Sequence, residues 1–223
     1  MAAISFPHPL VHSRADGLLA MGADLSVPRL LLAYRFGIFP WFNEDDPVLW
    51  WFAHPRMVLF PEKIKVQKSM RPYFNQGKYR ATFNQSFAKV VEECKQVRLE
   101  SGEGTWINSQ LVDAYHELHQ KGYACSVEVW DREDQLVGGL YGISIGKIFC
   151  GESMFHRKKD ASKFALISLA QHLQKCDFTL IDCQMETGHL RRMGAELISK
   201  NAFWPYLMKN LSEPDHQMNL RDY

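Results

Sequence analysis

Residues 136–155, Leu-Val-Gly-Gly-Leu-Tyr-Gly-Ile-Ser-Ile-Gly-Lys-Ile-Phe-Cys-Gly-Glu-Ser-Met-Phe, constrain this chain more than any other stretch. Glycines alternate with large apolar residues and Gly146-Lys147 offers a turn midway. The segment therefore predicts two strands, 136–143 and 147–154, whose backbone can be approached closely from one side. A third strand is expected at 124–130. Before it, Phe87, Val90, Val91 and Cys94, then Leu111, Ala114, Tyr115 and Leu118, recur at helical spacing, the second run stopping at Gly122. After the hairpin, Leu166, Leu169, Ala170 and Leu173 mark another helix, followed by a strand at 178–183. Helix, helix, three strands, helix, strand is an α/β (α+β) order.

The N-terminal part reads differently. Ser26 can cap a helix that runs through Phe36 and stops at Gly37, after which Pro40, Pro47, Pro55 and Pro61 break up a run of aromatic residues. We expect a small N-terminal domain over residues 1–57 and a larger domain over 58–223, which opens with short strands at 58–60 and 79–83. The chain has 223 residues, 46% hydrophobic and 23% charged, which excludes disorder as its main state. No run approaches 18 apolar residues and Met1-Ala2-Ala3-Ile4-Ser5-Phe6-Pro7 lacks the pattern of a secretory signal, so no membrane association is expected. Five scattered cysteines without a C-x-x-C pair favour reduced thiols and a cytoplasmic setting.

Chemistry concentrates at two strand ends. In Leu180-Ile181-Asp182-Cys183-Gln184 the acid and the amide are two residues apart, so on a regular strand they share a face with Cα atoms roughly 6.6 Å apart. That spacing suits positioning and proton transfer, and equally suits an Asp that caps the next turn. Glu152 interrupts an apolar strand end and must reach solvent or find a cation, which could be a substrate ammonium or a nearby Lys or Arg. Leu166, Leu169 and Leu173, with Ile181, Leu140, Cys150 and Met154, can converge around the Asp182 strand end to enclose an apolar side chain, or can simply be core.

A net charge of +1 does not suit a protein that coats nucleic acid, but the charges are unevenly distributed. Lys63, Lys65, Lys68, Arg71, Lys78 and Arg80 form one basic run, and Arg157, Lys158, Lys159 and Lys163 a second. These are solvated faces or an RNA-binding rim on either side of the expected site.

Taken in order, Gly37-Ile38-Phe39-Pro40-Trp41-Phe42, Leu49-Trp50-Trp51, Pro55-Arg56, Glu103-Gly104-Thr105-Trp106-Ile107, Ala114-Tyr115, Ser126-Val127-Glu128-Val129-Trp130, Leu136-Val137-Gly138-Gly139, Phe149-Cys150-Gly151-Glu152-Ser153-Met154-Phe155, Ala161-Ser162-Lys163 and Ile181-Asp182-Cys183-Gln184 resemble the bacterial leucyl/phenylalanyl-tRNA protein transferase family. The resemblance thins beyond residue 184, where only Gly194-Ala195 keeps the pattern. It implies an N-acetyltransferase-like larger domain and transfer of Leu or Phe, less well Met, from aminoacyl-tRNA to proteins beginning with Arg or Lys, marking them for degradation. It also implies a monomer that needs neither cofactor nor metal. In this pattern Asp182 orients Gln184, which meets the amine or the ester, and Glu152 binds an amino group. Trp41 and Trp106, with Tyr34 and Tyr115, grip the terminal adenosine, and Gly151 and Ser153 join the apolar residues around the transferred side chain. The first basic run contacts tRNA, with residues 157–159 as a second rim.

Two other enzyme readings are disfavoured. An acetyl-coenzyme A site calls for a Gly-rich turn, and residues 156–165 hold no glycine. His116-Glu117-Leu118-His119 spaces its histidines by three rather than four, which argues against a metal site on a helix. A non-catalytic RNA-binding module would explain the bases and tryptophans but leaves Glu152, Asp182 and Gln184 without a task.

Overall fold

The computed structural model describes residues 4–102 and 104–214. Glu103 of the Glu103–Ile107 stretch, residues 1–3 and the tail from residue 215 lie outside the described residues. The elements are α1 (Pro9–His12), β1 (Leu18–Met21), α2 (Val27–Arg35), β2 (Phe39–Pro40), β3 (Leu49–Trp51), β4 (Arg56–Leu59), α3 (Arg71–Asn75), β5 (Arg80–Phe83), α4 (Phe87–Glu100), α5 (Ser109–Gln120), β6 (Ala124–Trp130), β7 (Leu136–Ile145), β8 (Ile148–His156), α6 (Ala161–Lys175), β9 (Leu180–Gln184), α7 (Gly188–Met193), β10 (Glu196–Ile198) and α8 (Lys200–Asn210).

Two sheets result. A three-stranded antiparallel sheet has the order β1-β3-β2, and a seven-stranded sheet the order β10-β4-β9-β8-β7-β6-β5. Within the large sheet only β8 and β9 run parallel, joined by α6 as the crossover; every other pair is antiparallel. The expected hairpin is present with its turn at Gly146-Lys147, and its strands are longer than the pattern suggested. β4 starts at Arg56 and so straddles the expected boundary at residue 57.

Side chains alternate between the two faces of the large sheet, and each face has its own core. Val127, Leu140, Phe149 and Ile181 pack under α6, while Ala124, Tyr141, Ile143 and Leu180 pack with α2, α4, α5 and α8. The hairpin glycines serve this layering. A Cβ on Gly138 would lie 2.6 Å from the Ala161 Cβ at the start of α6, and one on Gly139 would lie 2.7 Å from the Val127 carbonyl oxygen. Helix, helix, three strands, helix, strand is recovered in order.

Some local expectations need correction. Ser26 makes no capping hydrogen bond, and α2 instead begins with Pro28 in its first turn. Gly37 does end that helix region, at φ +69°. Within residues 185–195, where the resemblance thins, Thr187 caps the short helix α7 by accepting from the Leu190 N–H, and Gly194 closes it in the left-handed region. His119 belongs to a packed helix face, with its ring stacked on Phe87 at 4.2 Å and Nδ1 2.8 Å from the Ala124 carbonyl oxygen.

Candidate active site

Two irregularities in neighbouring strands build the site. The parallel pairing of β8 with β9 ends at Cys150 opposite Asp182, although both strands continue. Just beyond, the register slips on both. In β8, Gly151 and Ser153 pair with Gly142 and Tyr141, leaving Glu152 as the extra residue of a bulge. In β9, Asp182 and Gln184 pair with Val58 and Met57, leaving Cys183 extra. A bulge redirects side chains and loosens the ladder. Here a cleft of about 630 Å³ opens, lined by residues from both faces of the sheet.

Glu152 is buried on the floor of this cleft. Its carboxylate accepts from Tyr34 Oη at 2.9 Å, Tyr115 Oη at 2.7 Å and Gln184 Nε2 at 3.1 Å. Neither the solvent nor the Lys or Arg allowed by the sequence partners it among the described residues. Burial pushes this carboxyl up to about 7, with the Tyr115, Tyr34 and Gln184 donors opposing and the Asp182 charge adding to the rise. A carboxyl so placed can take up or give back a proton near neutral pH.

Tyr34 and Tyr115 therefore have a different place from the one expected. Both are buried in α2 and α5, their hydroxyls are 3.0 Å apart, and neither ring lines the cleft. Burial, reinforced by the Glu152 charge, raises both phenols well above the usual range, so they remain donors. They hold Glu152 rather than a nucleoside.

Asp182 also departs from expectation. It does not share an open face with Gln184, because the Cys183 bulge and the left-handed backbone of Gln184, φ +59°, break the regular alternation. Asp182 is 1% exposed and accepts from Arg56 at both oxygens, Nε to Oδ1 at 2.7 Å and Nη2 to Oδ2 at 2.6 Å. Its Oδ1 also accepts from the Gln184 backbone N–H at 3.0 Å. Asp182 thus shapes the turn that carries Gln184 and does not itself reach the cleft. The sequence left Arg56 without a role; a lone Arg opening the apolar run Met57-Val58-Leu59 was the available signal.

The remaining candidates divide cleanly. Trp41, Trp106, Leu140, Gly151, Glu152, Ser153, Met154, Leu166, Leu169, Ile181 and Gln184 all line the cleft. Cys150 and Leu173 do not: Cys150 is buried beside Asp182, and Leu173 lies one turn too far along α6, in the core. Leu140, Met154, Leu166, Leu169 and Ile181, joined by the unforeseen Phe149 and Leu190, form an apolar lobe under α6. Trp41 stands at the rim, 37% exposed and edge-on to Trp51 at 5.5 Å. Arg98, Tyr141, His156, Ser162, Thr187 and His189 line the cleft too and were not singled out.

All six residues of the first basic run are exposed, five of them between β4 and β5 and Arg80 opening β5. Lys63 is paired with Glu196 at 2.8 Å and Arg80 with Asp134 at 2.8 Å, whereas Lys65, Lys68, Arg71 and Lys78 have no ion pair among the described residues. The second rim is largely neutralised. Arg157 is held by Glu93 and Glu100, and Lys158 by Asp131 at 2.6 Å, which leaves Lys159.

Residues 58–208 match the family model described as leucyl/phenylalanyl-tRNA protein transferase, and residues 23–53 match the model of that protein's N-terminal domain. A leucyl/phenylalanyl-tRNA–protein transferase of Pseudomonas fluorescens is 50% identical over 215 residues, covering 96% of this chain and 94% of its own. One of Christiangramia forsetii is 53% identical over 205 residues, covering 91% and 96%. Among solved structures, a GCN5-related N-acetyltransferase from Kribbella flavida superposes on 65% of this chain and 55% of its own, with a TM-score of 0.39 and 14% identity.

Proposed function

Because this chain belongs to the leucyl/phenylalanyl-tRNA protein transferase family, we propose that it moves Leu or Phe, and less well Met, from aminoacyl-tRNA to the α-amino group of proteins that begin with Arg or Lys, marking them for degradation. The observation that carries the reading is the Glu152–Gln184 pair, set where an apolar lobe meets a tryptophan-flanked rim. An aminoacyl ester is already activated, so the enzyme's task is placement, proton removal and charge stabilisation.

In this reading the transferred side chain enters the lobe formed by Leu140, Met154, Leu166, Leu169 and Ile181, and Trp41 and Trp106 stack on the terminal adenosine. The acceptor amine attacks the ester carbonyl carbon. The new C–N bond forms, the C–O bond to the ribose breaks, and the Glu152 carboxylate takes the proton lost by nitrogen and passes it to the ribose oxygen, which leaves as a hydroxyl. With its N–H donated to Glu152, Gln184 keeps a carbonyl oxygen that can accept from the amine. Asp182 acts by positioning. Lys65, Lys68, Arg71 and Lys78, without an ion pair among the described residues, are the supported part of a tRNA-binding face. The division into residues 1–57 and 58–223, a monomeric state and work in the cytoplasm belong to the same reading. No helix among the described residues is long and apolar enough to cross a membrane.

The test mixes the protein with Leu- or Phe-charged tRNA and peptides beginning with Arg, Lys or Ala, and follows peptide mass. Extension by one residue of the first two only is expected. Transfer from tRNA should weaken steeply with salt, whereas transfer from a bare aminoacyl-adenosine should not, because counterion release accompanies phosphate binding. Failure to extend any peptide removes the assignment.

A further inference from the structure

We propose that Arg98 binds the phosphate on the 5′ side of the donor RNA's terminal nucleotide; this rests on the transferase reading above. Arg98 is half-buried in the last turn of α4 and lines the cleft. The acids of its own helix do not offset it. Glu93 and Glu100 both accept from Arg157, and Arg98 has no ion pair among the described residues. The same wall carries Tyr141, whose buried hydroxyl has no hydrogen-bond partner among the described residues. Ser153 stands opposite Tyr141 in the β7–β8 ladder and also faces the cleft. Burial and the Cys94 and Glu152 charges raise the Tyr141 phenol, with Arg98 opposing, so this hydroxyl stays a donor.

A guanidinium without an ion pair among the described residues, in a cleft that also holds hydroxyl donors without partners among them, selects an anionic oxygen, and its fork of N–H groups matches a phosphate. The acceptor cannot supply it, because its first residue and its α-amino group are cationic and would be repelled. The acyl part of the aminoacyl ester carries an α-amino group and no anion. The nearest anion on the donor is the phosphate on the opposite side of the same ribose, and Trp106, proposed to stack on that nucleoside, lines the cleft together with Arg98. The other polar groups of the cleft are a poorer match. Burial, with Lys163, Arg192 and His156 nearby, lowers His189 and favours its neutral form.

The test uses non-hydrolysable amide analogues of 3′-aminoacyl-adenosine, with and without a 5′-phosphate, titrated calorimetrically into the wild type, Arg98→Gln and Arg98→Lys. A charge-assisted contact predicts that the wild type prefers the phosphorylated analogue by about tenfold or more. Arg98→Gln should bind the two alike, and Arg98→Lys should retain part of the preference. A wild type without preference, or an Arg98→Gln protein that keeps it, overturns the proposal. A wild type that binds neither analogue overturns the transferase reading and this inference with it.

Discussion

Glu152 is a buried titratable group in the cleft, and its environment makes its behaviour with pH testable. The folded carboxyl releases its proton at about 7, above the 4.5 of an ordinary glutamate. Between those values the native state holds a proton that the unfolded chain has lost. This group's contribution to stability is therefore full below about 4.5 and is lost as pH rises through about 7. Replacing Glu152 by Gln keeps the donors partly satisfied and removes the titration. The variant's denaturation midpoint should decline less than the wild type's between pH 4.5 and 7, and the rise in transfer rate through neutral pH should disappear. An unchanged rate profile would mean that another group carries the proton. The carboxyl itself was legible in the sequence, as an acid inside an apolar strand end. Its tyrosine partners were not, because Tyr34 and Tyr115 lie 118 and 37 residues from it in sequence and meet it only when α2 and α5 pack together.

At the scale of elements, the site depends on what β8, β9 and α6 do together. Regular strands would have kept Asp182 and Gln184 on one face; two bulges instead separate them and turn Glu152 toward Gln184. The leucine stripe of α6 was readable from its spacing, and two of its three leading residues, Leu166 and Leu169, line the cleft. Leu173 falls in the core because α6 continues past the point where β8 and β9 part. Leu169→Phe should fill the lobe and depress Phe transfer more than Leu transfer, with an overpacking cost of about 1–3 kcal/mol. The ratio of kcat/KM for the two charged tRNAs measures this. Equal losses in a folded protein would take Leu169 out of the pocket.

The whole molecule is held across its two sheets by Arg56. Its guanidinium binds Asp182 in the large sheet and donates to the Gly37 carbonyl at 2.8 Å, while the rings of Phe39, Phe52 and Phe203 surround it at 5.2, 5.7 and 4.9 Å. A strand-end Asp would ordinarily be cheap to remove, but here removal strands a buried cation. Asp182→Ala should lose about 3–5 kcal/mol in chemical denaturation. Gln184→Ala removes no buried charge and should change stability far less while lowering transfer. Comparable midpoints for the two variants would show that Arg56 finds another partner.

The sequence by itself determined the order of elements between residues 87 and 184, the hairpin with its glycines and the family, because periodicity and ordered motifs are local properties of the chain. Only the tertiary structure decided that Tyr34 and Tyr115 serve Glu152, that Asp182 serves Arg56, that most of the second basic rim is neutralised, and that Arg98 is not. Hydrogen-bond partners and charge compensation are set by proximity across the fold, and residues as far apart as Arg56 and Asp182 carry no local pattern that announces their meeting.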